Sequence, residues 1–166
     1  EIEDATALGV KYLARRQRPD GGWGPWWAGY ATTAYTGLAL MKLQMRAYEL
    51  GYNSPFNTSY AYWTNVTAGW SFIFSKDGAG NPLYALKQTL SLQDHTGGAS
   101  GTIDDPDTNR INGYGIYFAG PGGSVPTYTT GICLTALKAS GTPNRPDDGG
   151  IDYDGDGFAD TFKQIA

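Results

Sequence analysis

The chain has 166 residues and a mass of 17.8 kDa, which is the size of one compact domain. Charged residues make up 17%, the net charge is -4 and there is no basic stripe, so we expect no nucleic-acid partner. The longest apolar runs, such as residues 72–74, are far shorter than the roughly 20 residues that cross a bilayer, so we expect no membrane span.

Two helices are predicted in the first third of the chain. The apolar periodicity over residues 4–17 places Ala5, Leu8 and Tyr12 on one helical face. The segment 33–50 is apolar around most of its circumference, which is typical of a buried helix. A helix with one apolar stripe followed by a fully apolar one predicts an outer and an inner layer of helices.

The same order recurs later in the chain. Residues 60–75 predict a third helix, and residues 129–140 predict a second buried one. The segment Thr36–Leu43 matches Thr130–Leu137 in size and polarity at every apolar position, with an offset of 94 residues. The chain therefore contains an internal repeat.

The two repeats are separated by a long insertion rich in Gly, Asp and Thr, at about 79–128. Asn81 and Pro82 predict the start of a short helix there, which would carry Leu83, Leu86 and Leu90. The rest of the insertion is predicted to be an ordered loop held by a metal, a partner or packed aromatic residues.

The segment from Gly9 to Trp23 resembles the glutamine-tryptophan repeat of the prenyltransferase and squalene-cyclase superfamily. It has a small residue, an aromatic-Leu pair, Gln17 four residues after the Leu, and then Gly-x-Trp. Physically, Gln17 can hydrogen-bond free groups at a helix end while Trp23 packs over the turn and ties neighbouring hairpins together. That role stabilises the fold and carries no chemistry.

The resemblance implies a mainly α fold of antiparallel helical hairpins of the α/α-toroid type. It covers residues 5–51 well and extends loosely to 66–78 and 127–141, where Asp77 stands in the place of the Gln. About six hairpins close such a toroid, whereas this chain has two, and residues 161–166 begin a third. We therefore expect an incomplete toroid whose end helices are exposed, covered by neighbouring copies in an open stack or by repeats of a longer chain.

The segment Asp152–Asp160 has the spacing of a calcium loop. Carboxylates stand at its first, third, fifth and ninth places, a glycine stands at the sixth, and the seventh supplies a backbone carbonyl. The predicted ligands are Asp152, Asp154, Asp156, Phe158 through its carbonyl, and Asp160.

Lys163 occupies the place where an EF-hand supplies a bidentate Glu. The loop therefore resembles the calcium repeats of thrombospondin type 3 and similar extracellular linkers more closely. Asp147 or Asp148 would supply the missing ligand. A second acidic cluster is a weaker candidate for calcium, because Arg110 replaces the turn glycine; its ligands would be Asp105, Asp107 and Asn109.

We predict a repeat domain over 1–146, with repeats at about 1–55 and 56–142, followed by the calcium loop and the start of a further helix over 147–166. Two Asn-x-Ser/Thr triplets, at Asn57 and Asn65, are candidate glycosylation sites and favour an exported protein. The chain begins at Glu1 rather than Met, as expected of a processed chain or of a piece of a longer one. The expected location is extracellular or on the cell surface.

Catalytic groups are not evident. The order of acids over 104–107 does not match the Asp-x-Asp-Asp motif of squalene-type cyclases. Cys133, the single cysteine, is interpreted as a buried small hydrophobe, and no acid near it completes a zinc site. His95 lies in a loop without an identifiable nucleophile, so a loop hydrogen bond is its expected role.

Our main hypothesis is a non-catalytic, exported, calcium-stabilised helical repeat domain with a structural role. It would be a subunit of an extracellular assembly or filament, or a module of a longer surface protein. One alternative is a fragment of a terpenoid cyclase or prenyltransferase-like enzyme. Another is a carbohydrate-binding module in which Trp26 and Trp27 stack on the sugar rings of a glycan.

Overall fold

A computed structural model describes residues 2–25, 31–89, 114–120, 127–147, 149–153 and 155–166. The fold is mainly helical, as predicted. In chain order the elements are α1 (Ile2–Arg15), α2 (Ala31–Glu49), α3 (Trp63–Ile73), β1 (Ala85–Thr89), β2 (Tyr114–Phe118), α4 (Thr127–Ala139) and α5 (Phe162–Ile165). The four predicted main helices are confirmed, each with ends shifted by a few residues. Among the described helices, none is both long and apolar enough to cross a bilayer.

The predicted short helix after Asn81 is wrong, because the chain there is extended. The Leu83 N–H donates to the Ser75 carbonyl, and Pro82 forms a bridge with Lys76, so the chain runs back along the end of α3. Strand β1 follows and pairs antiparallel with β2, with Ala85 opposite Phe118. Both of these residues are fully buried, so the hydrophobic core selects the strand over local helix propensity.

Helices α2 and α4 form the central pair of the fold. At their crossing Gly37 faces Ile132, and a Cβ atom built on Gly37 would lie 2.8 Å from the Cγ2 atom of Ile132. Further along, the Gln44 side-chain amide donates to the Ala136 carbonyl over 2.9 Å. Gln44 is fully buried, so this bond satisfies a polar group inside the core.

The internal repeat is visible in matching hydrogen bonds. The Thr36 hydroxyl of α2 accepts from the Trp23 N–H at 3.0 Å, and the Thr130 hydroxyl of α4 accepts from the Phe118 N–H at 3.0 Å. The two threonines are the residues that the sequence repeat aligns. Each hydroxyl therefore holds the backbone of a buried aromatic residue against the N-terminal part of α2 or α4.

Helix α3 packs on α2 beside α4, and Gln44 of α2 contacts both helices. Trp70 is fully buried and its indole N–H donates to the Gln44 side-chain oxygen over 2.9 Å. Just before α3, the Tyr60 hydroxyl donates to the Leu43 carbonyl over 2.7 Å. Helix α2 is consequently buried on two sides.

The C-terminal segment packs into the same core. Thr161 and Gln164 form a reciprocal capping box that begins α5, the start of the predicted third hairpin. The Tyr153 hydroxyl donates to the Ala85 carbonyl over 2.8 Å. The buried apolar residues of this segment are Ile151, Tyr153, Phe162 and Ile165.

Apolar side chains of α1 and α2 remain in solvent. Leu8 is 67% exposed and Tyr12 is 59% exposed, whereas Val10 is the buried residue of α1. The expectation that an end helix is left uncovered is confirmed for α1. The prediction that α2 is the buried member of the pair is confirmed, because most of α2 is buried and only Val10 of α1 is. Leu38 and Met45 are nevertheless about half exposed, on the side that neither α3 nor α4 covers.

Candidate functional site

The predicted calcium loop is closed at its base by two buried acids. Asp147 and Asp160 are 5% and 3% exposed. The Asp147 N–H donates to the Asp160 carbonyl over 2.9 Å, and the Asp160 N–H donates to the Ile151 carbonyl over 2.9 Å. This short antiparallel pairing brings the two aspartates side by side, although they lie far apart along the loop.

The carboxylates of these two acids accept hydrogen bonds from the loop backbone. Asp147 accepts from the Ile151 N–H at 2.9 Å, and Asp160 accepts from the Tyr153 N–H at 2.6 Å. Burial raises the pKa of Asp147 above its usual value, and the backbone N–H groups only partly oppose that shift. Burial and the charges of both carboxylates also raise the pKa of Tyr153. Both carboxylates therefore lie close enough to Tyr153 to affect the charge of its phenol.

The tip of the loop has the turns that its glycines predict. Gly155 and Gly157 have φ angles of 82° and 91°, which favour glycine over residues with a side chain. The Asp152 carboxylate accepts from both of their N–H groups, at 2.6 Å and 2.9 Å. Phe158 is 75% exposed, so its predicted role rests on its backbone carbonyl alone.

Part of the predicted metal centre lies outside the described residues, namely Asp148 and Asp154. Within the part of the chain that the structure describes, no three His, Cys, Asp or Glu side chains form a group that could hold a metal ion. The second acidic cluster, Asp105, Asp107 and Asn109, also lies outside the described residues. Both calcium sites remain predictions.

The turn after α1 makes the contacts expected of Gln17 and Trp23. The Gln17 amide N–H donates to the Gly21 carbonyl over 2.8 Å and to the Asn65 carbonyl of α3 over 2.9 Å. The Trp23 indole N–H donates to the Leu13 carbonyl at the end of α1 over 2.8 Å. The two side chains thus tie the first hairpin to the next helix.

Gly21 lets this turn approach α3 closely. Its φ angle is 90°, and a Cβ atom built on it would lie 2.2 Å from the Ala68 carbonyl oxygen. Any side chain there would clash with backbone, so the turn can reach α3 only with glycine at this position.

The two candidate glycosylation sites have different surroundings. Asn57 lies in the loop before α3, and its side-chain oxygen accepts from the Ser59 N–H over 2.9 Å. Asn65 lies within α3, and its amide nitrogen donates to the Gln17 side chain over 2.6 Å and to the Ala14 carbonyl over 3.3 Å. From the sequence Asn65 is predicted only as a sequon, because no local pattern links it to a glutamine in another helix.

The described groups with catalytic potential are few. Burial raises the pKa of Cys133 to about 12, so its thiol stays protonated and unreactive at neutral pH. An apolar cavity of about 360 Å³ lies beside Trp23, Tyr35 and Leu38, and its lining residues include no acid or histidine. His95, Trp26, Trp27 and the acids at 104–107 lie outside the described residues.

The described residues thus form a closed acidic loop and a hydrogen-bonded turn, and they leave several helix faces uncovered. Sequence patterns located the loop and the turn, but they did not indicate that Asn65 completes the turn. Comparisons with models of protein families, with curated proteins and with solved structures find no match to this chain.

Proposed function

We propose that this chain is a non-catalytic, exported domain with a structural role, built from two hairpins of an incomplete α/α toroid and stabilised by calcium. In this proposal α1 and α3 are outer helices, and α2 and α4 are inner ones. The domain would act as a subunit of an extracellular assembly, in which neighbouring copies cover its exposed helices.

The observation that carries the proposal is the burial of Asp147 and Asp160 at the base of the acidic loop. Removing a carboxylate from water costs several kcal/mol unless hydrogen bonds and a counter-charge compensate. Backbone N–H groups already point at both carboxylates and hold them in place. Lys76 already contributes a positive charge near Asp147, and a calcium ion bound by the loop would add a divalent one with a preference for six to eight oxygen ligands.

The structural role is supported by the contacts of the residues that the sequence patterns single out. Gln17 and Trp23 join helices to one another, and Thr36 and Thr130 hold the chain that enters each inner helix. Cys133 is buried between α2 and α4, with its Sγ atom 3.8 Å from the Thr33 carbonyl oxygen. These groups are all used for packing.

Thermal unfolding with calcium and then with excess chelator tests the proposal. A ligand at about 100 times its Kd adds about 2.7 kcal/mol to stability. For a domain of this size that corresponds to a rise in Tm of roughly 5–11 °C. We expect Asp156→Asn and Asp160→Asn to lose most of this calcium-dependent rise.

Asp20→Asn is the matched control, because it removes the same charge from the turn after α1, retains an Oδ1 acceptor for the Gly22 N–H and should keep the full calcium response. In titration calorimetry the wild type and the control should bind calcium equally well, and Asp156→Asn and Asp160→Asn should bind it more weakly. A wild-type Tm that does not change at about 10 mM calcium, a concentration that saturates weak extracellular sites, would contradict the proposal.

A further inference from the structure

Two glycines permit the closest helix contacts inside the chain. A Cβ atom built on Gly69 of α3 would lie 2.8 Å from Leu40 of α2 and 2.9 Å from Trp23. A Cβ atom built on Gly37 of α2 would lie 2.8 Å from Ile132 of α4. Both glycines are buried, so they are the points at which each helix rests on its neighbour.

The equivalent glycines of the other helices face open space. Gly9 of α1 aligns with Gly69, and Gly131 of α4 aligns with Gly37. Both are exposed, and among the described residues no heavy atom lies within 4 Å of a Cβ atom built on either. The residues that would complete their contacts are uncovered too.

Leu134 of α4, the counterpart of Leu40, is only partly buried, and Leu38 of α2, the counterpart of Ile132, is 49% exposed. The residues that pack α3 and α4 on α2 therefore have wholly or partly exposed counterparts in the same chain. Gly9 and Leu38 correspond to Gly69 and Ile132, and Leu134 and Gly131 correspond to Leu40 and Gly37. We call Gly9, Tyr12 and Leu38 the leading face, and Gly131, Leu134 and Lys138 the trailing face.

We propose that the leading face of a second copy of this chain docks on the trailing face. This inference rests on the structural role proposed above and identifies the surfaces involved. The second copy's α1 would lie on α4 as α3 lies on α2, with its Gly9 over Leu134. Its Leu38 would lie against Gly131, as Ile132 lies against Gly37.

The trailing face has room for such a helix. A cavity of about 600 Å³ lies along α4 and α5, with buried Leu137 and Phe162 in its lining. On α2 the equivalent surface is filled by α3, whose Trp70 contacts Gln44. The cavity thus lies where the repeat pattern places the next outer helix.

Charge supports the same occupant. Lys138 stands in the position of Gln44 and is exposed, and Lys163 also lines the cavity. The first turn of α1 carries Asp4 and also Glu3, which pairs with Arg46 of α2. In the proposed arrangement the acidic turn of one copy approaches the basic rim of the other, which favours the pairing at low salt.

The two faces differ from each other, so the contact is head-to-tail. A dimer therefore keeps a free leading face at one end and a free trailing face at the other. Association then continues into a filament or a closed ring. This property can be tested with two variants that each block a single face.

Light scattering with calcium, over protein concentrations from micromolar to millimolar, tests the interface. We expect the mass of the wild type to grow with concentration. Gly9→Gln should block the leading face and Gly131→Gln the trailing face, because each side chain fills the space that the neighbour needs. Each variant alone should remain a monomer, and an equal mixture should form dimers and nothing larger.

Ser71→Gln is the control, since Ser71 is exposed on α3 and belongs to neither face; its mass should equal that of the wild type. Circular dichroism and Tm establish that every variant is folded. A wild type that associates, together with unchanged masses for both glycine variants, would overturn this interface and leave the proposed function standing. A wild type that stays monomeric throughout would overturn the interface and self-association together, while the calcium response of the Tm tests the rest independently.

Discussion

Helices α2 and α4 share a sequence pattern but differ in what surrounds them. Leu40 and Gln44 of α2 are fully buried beneath α3. Of their counterparts in α4, Leu134 is partly buried and Lys138 is exposed. A glutamine inside the core is satisfied by Ala136 and Trp70, while a lysine at the equivalent position remains in water. The two helices thus differ in sequence at a position that α3 covers on α2 and that is exposed on α4.

Helices α1 and α3 differ in the same way. Phe72 of α3 is 4% exposed and stacks on Tyr84, whereas the equivalent Tyr12 of α1 is 59% exposed. Both helices carry an apolar face, but that of α3 is covered by other described residues, whereas Leu8 and Tyr12 of α1 remain exposed. The comparison teaches that position along the chain, and not helix amphipathicity alone, decides which face is buried.

The largest expected effect comes from removing the side chain by which α3 covers α2. Trp70→Ala leaves a cavity beside Phe74 and Phe162 and deprives the Gln44 oxygen of its donor, so we expect a loss of about 3–5 kcal/mol in the free energy of unfolding. Val10→Ala, at the equivalent position of α1, should cost about 1–2 kcal/mol, because a smaller side chain leaves a smaller cavity. Urea denaturation of dilute protein measures both, and equal losses would contradict the comparison.

The next effect separates the covered glycine from the uncovered one. Gly69→Ala places a methyl group within 3 Å of Leu40 and Trp23, and after the gain in helix propensity we expect a net loss of about 1–2 kcal/mol. Gly9→Ala has open space and should gain about 0.5–1 kcal/mol in the monomer from helix propensity alone. Urea midpoints of the two variants should therefore move in opposite directions, and a loss at both positions would show that α1 is already covered.

Much of the helical layout follows from the sequence. Apolar periodicity and capping residues are local signals, so they located α1 to α4, and the aligned Thr36 and Thr130 revealed the repeat. The strand β1 was not predicted, because the partner that holds Ala85 in extended form lies on β2, far along the chain. Nor could periodicity show that Leu38 is exposed, since it reports how apolar a helix is and not which neighbours it has.

Only part of the structure of the candidate loop could be predicted from the local sequence. The glycine turn at 157 was predictable from the spacing of the acids, because the sixth residue of such a loop must turn sharply. Asp147 and Asp160 lie close together because of a backbone pairing between two separate segments, which no local sequence pattern indicates. The same holds for Asn65, whose partner Gln17 is in another helix.

The smallest expected effect tests whether the two repeats are equivalent in energy as well as in geometry. Thr36→Val and Thr130→Val each remove the hydroxyl that accepts a backbone N–H, from Trp23 and from Phe118. Leaving a buried or partly buried donor without its acceptor costs about 1 kcal/mol or somewhat more, so each variant should lose a similar amount in urea denaturation. Thr135→Val, on the exposed side of α4, is the control and should change stability by less than about 0.5 kcal/mol. Because the two bonds are equal in length but belong to differently covered helices, a loss confined to Thr36→Val would mean that α4 needs a neighbour before its own contacts stabilise the fold.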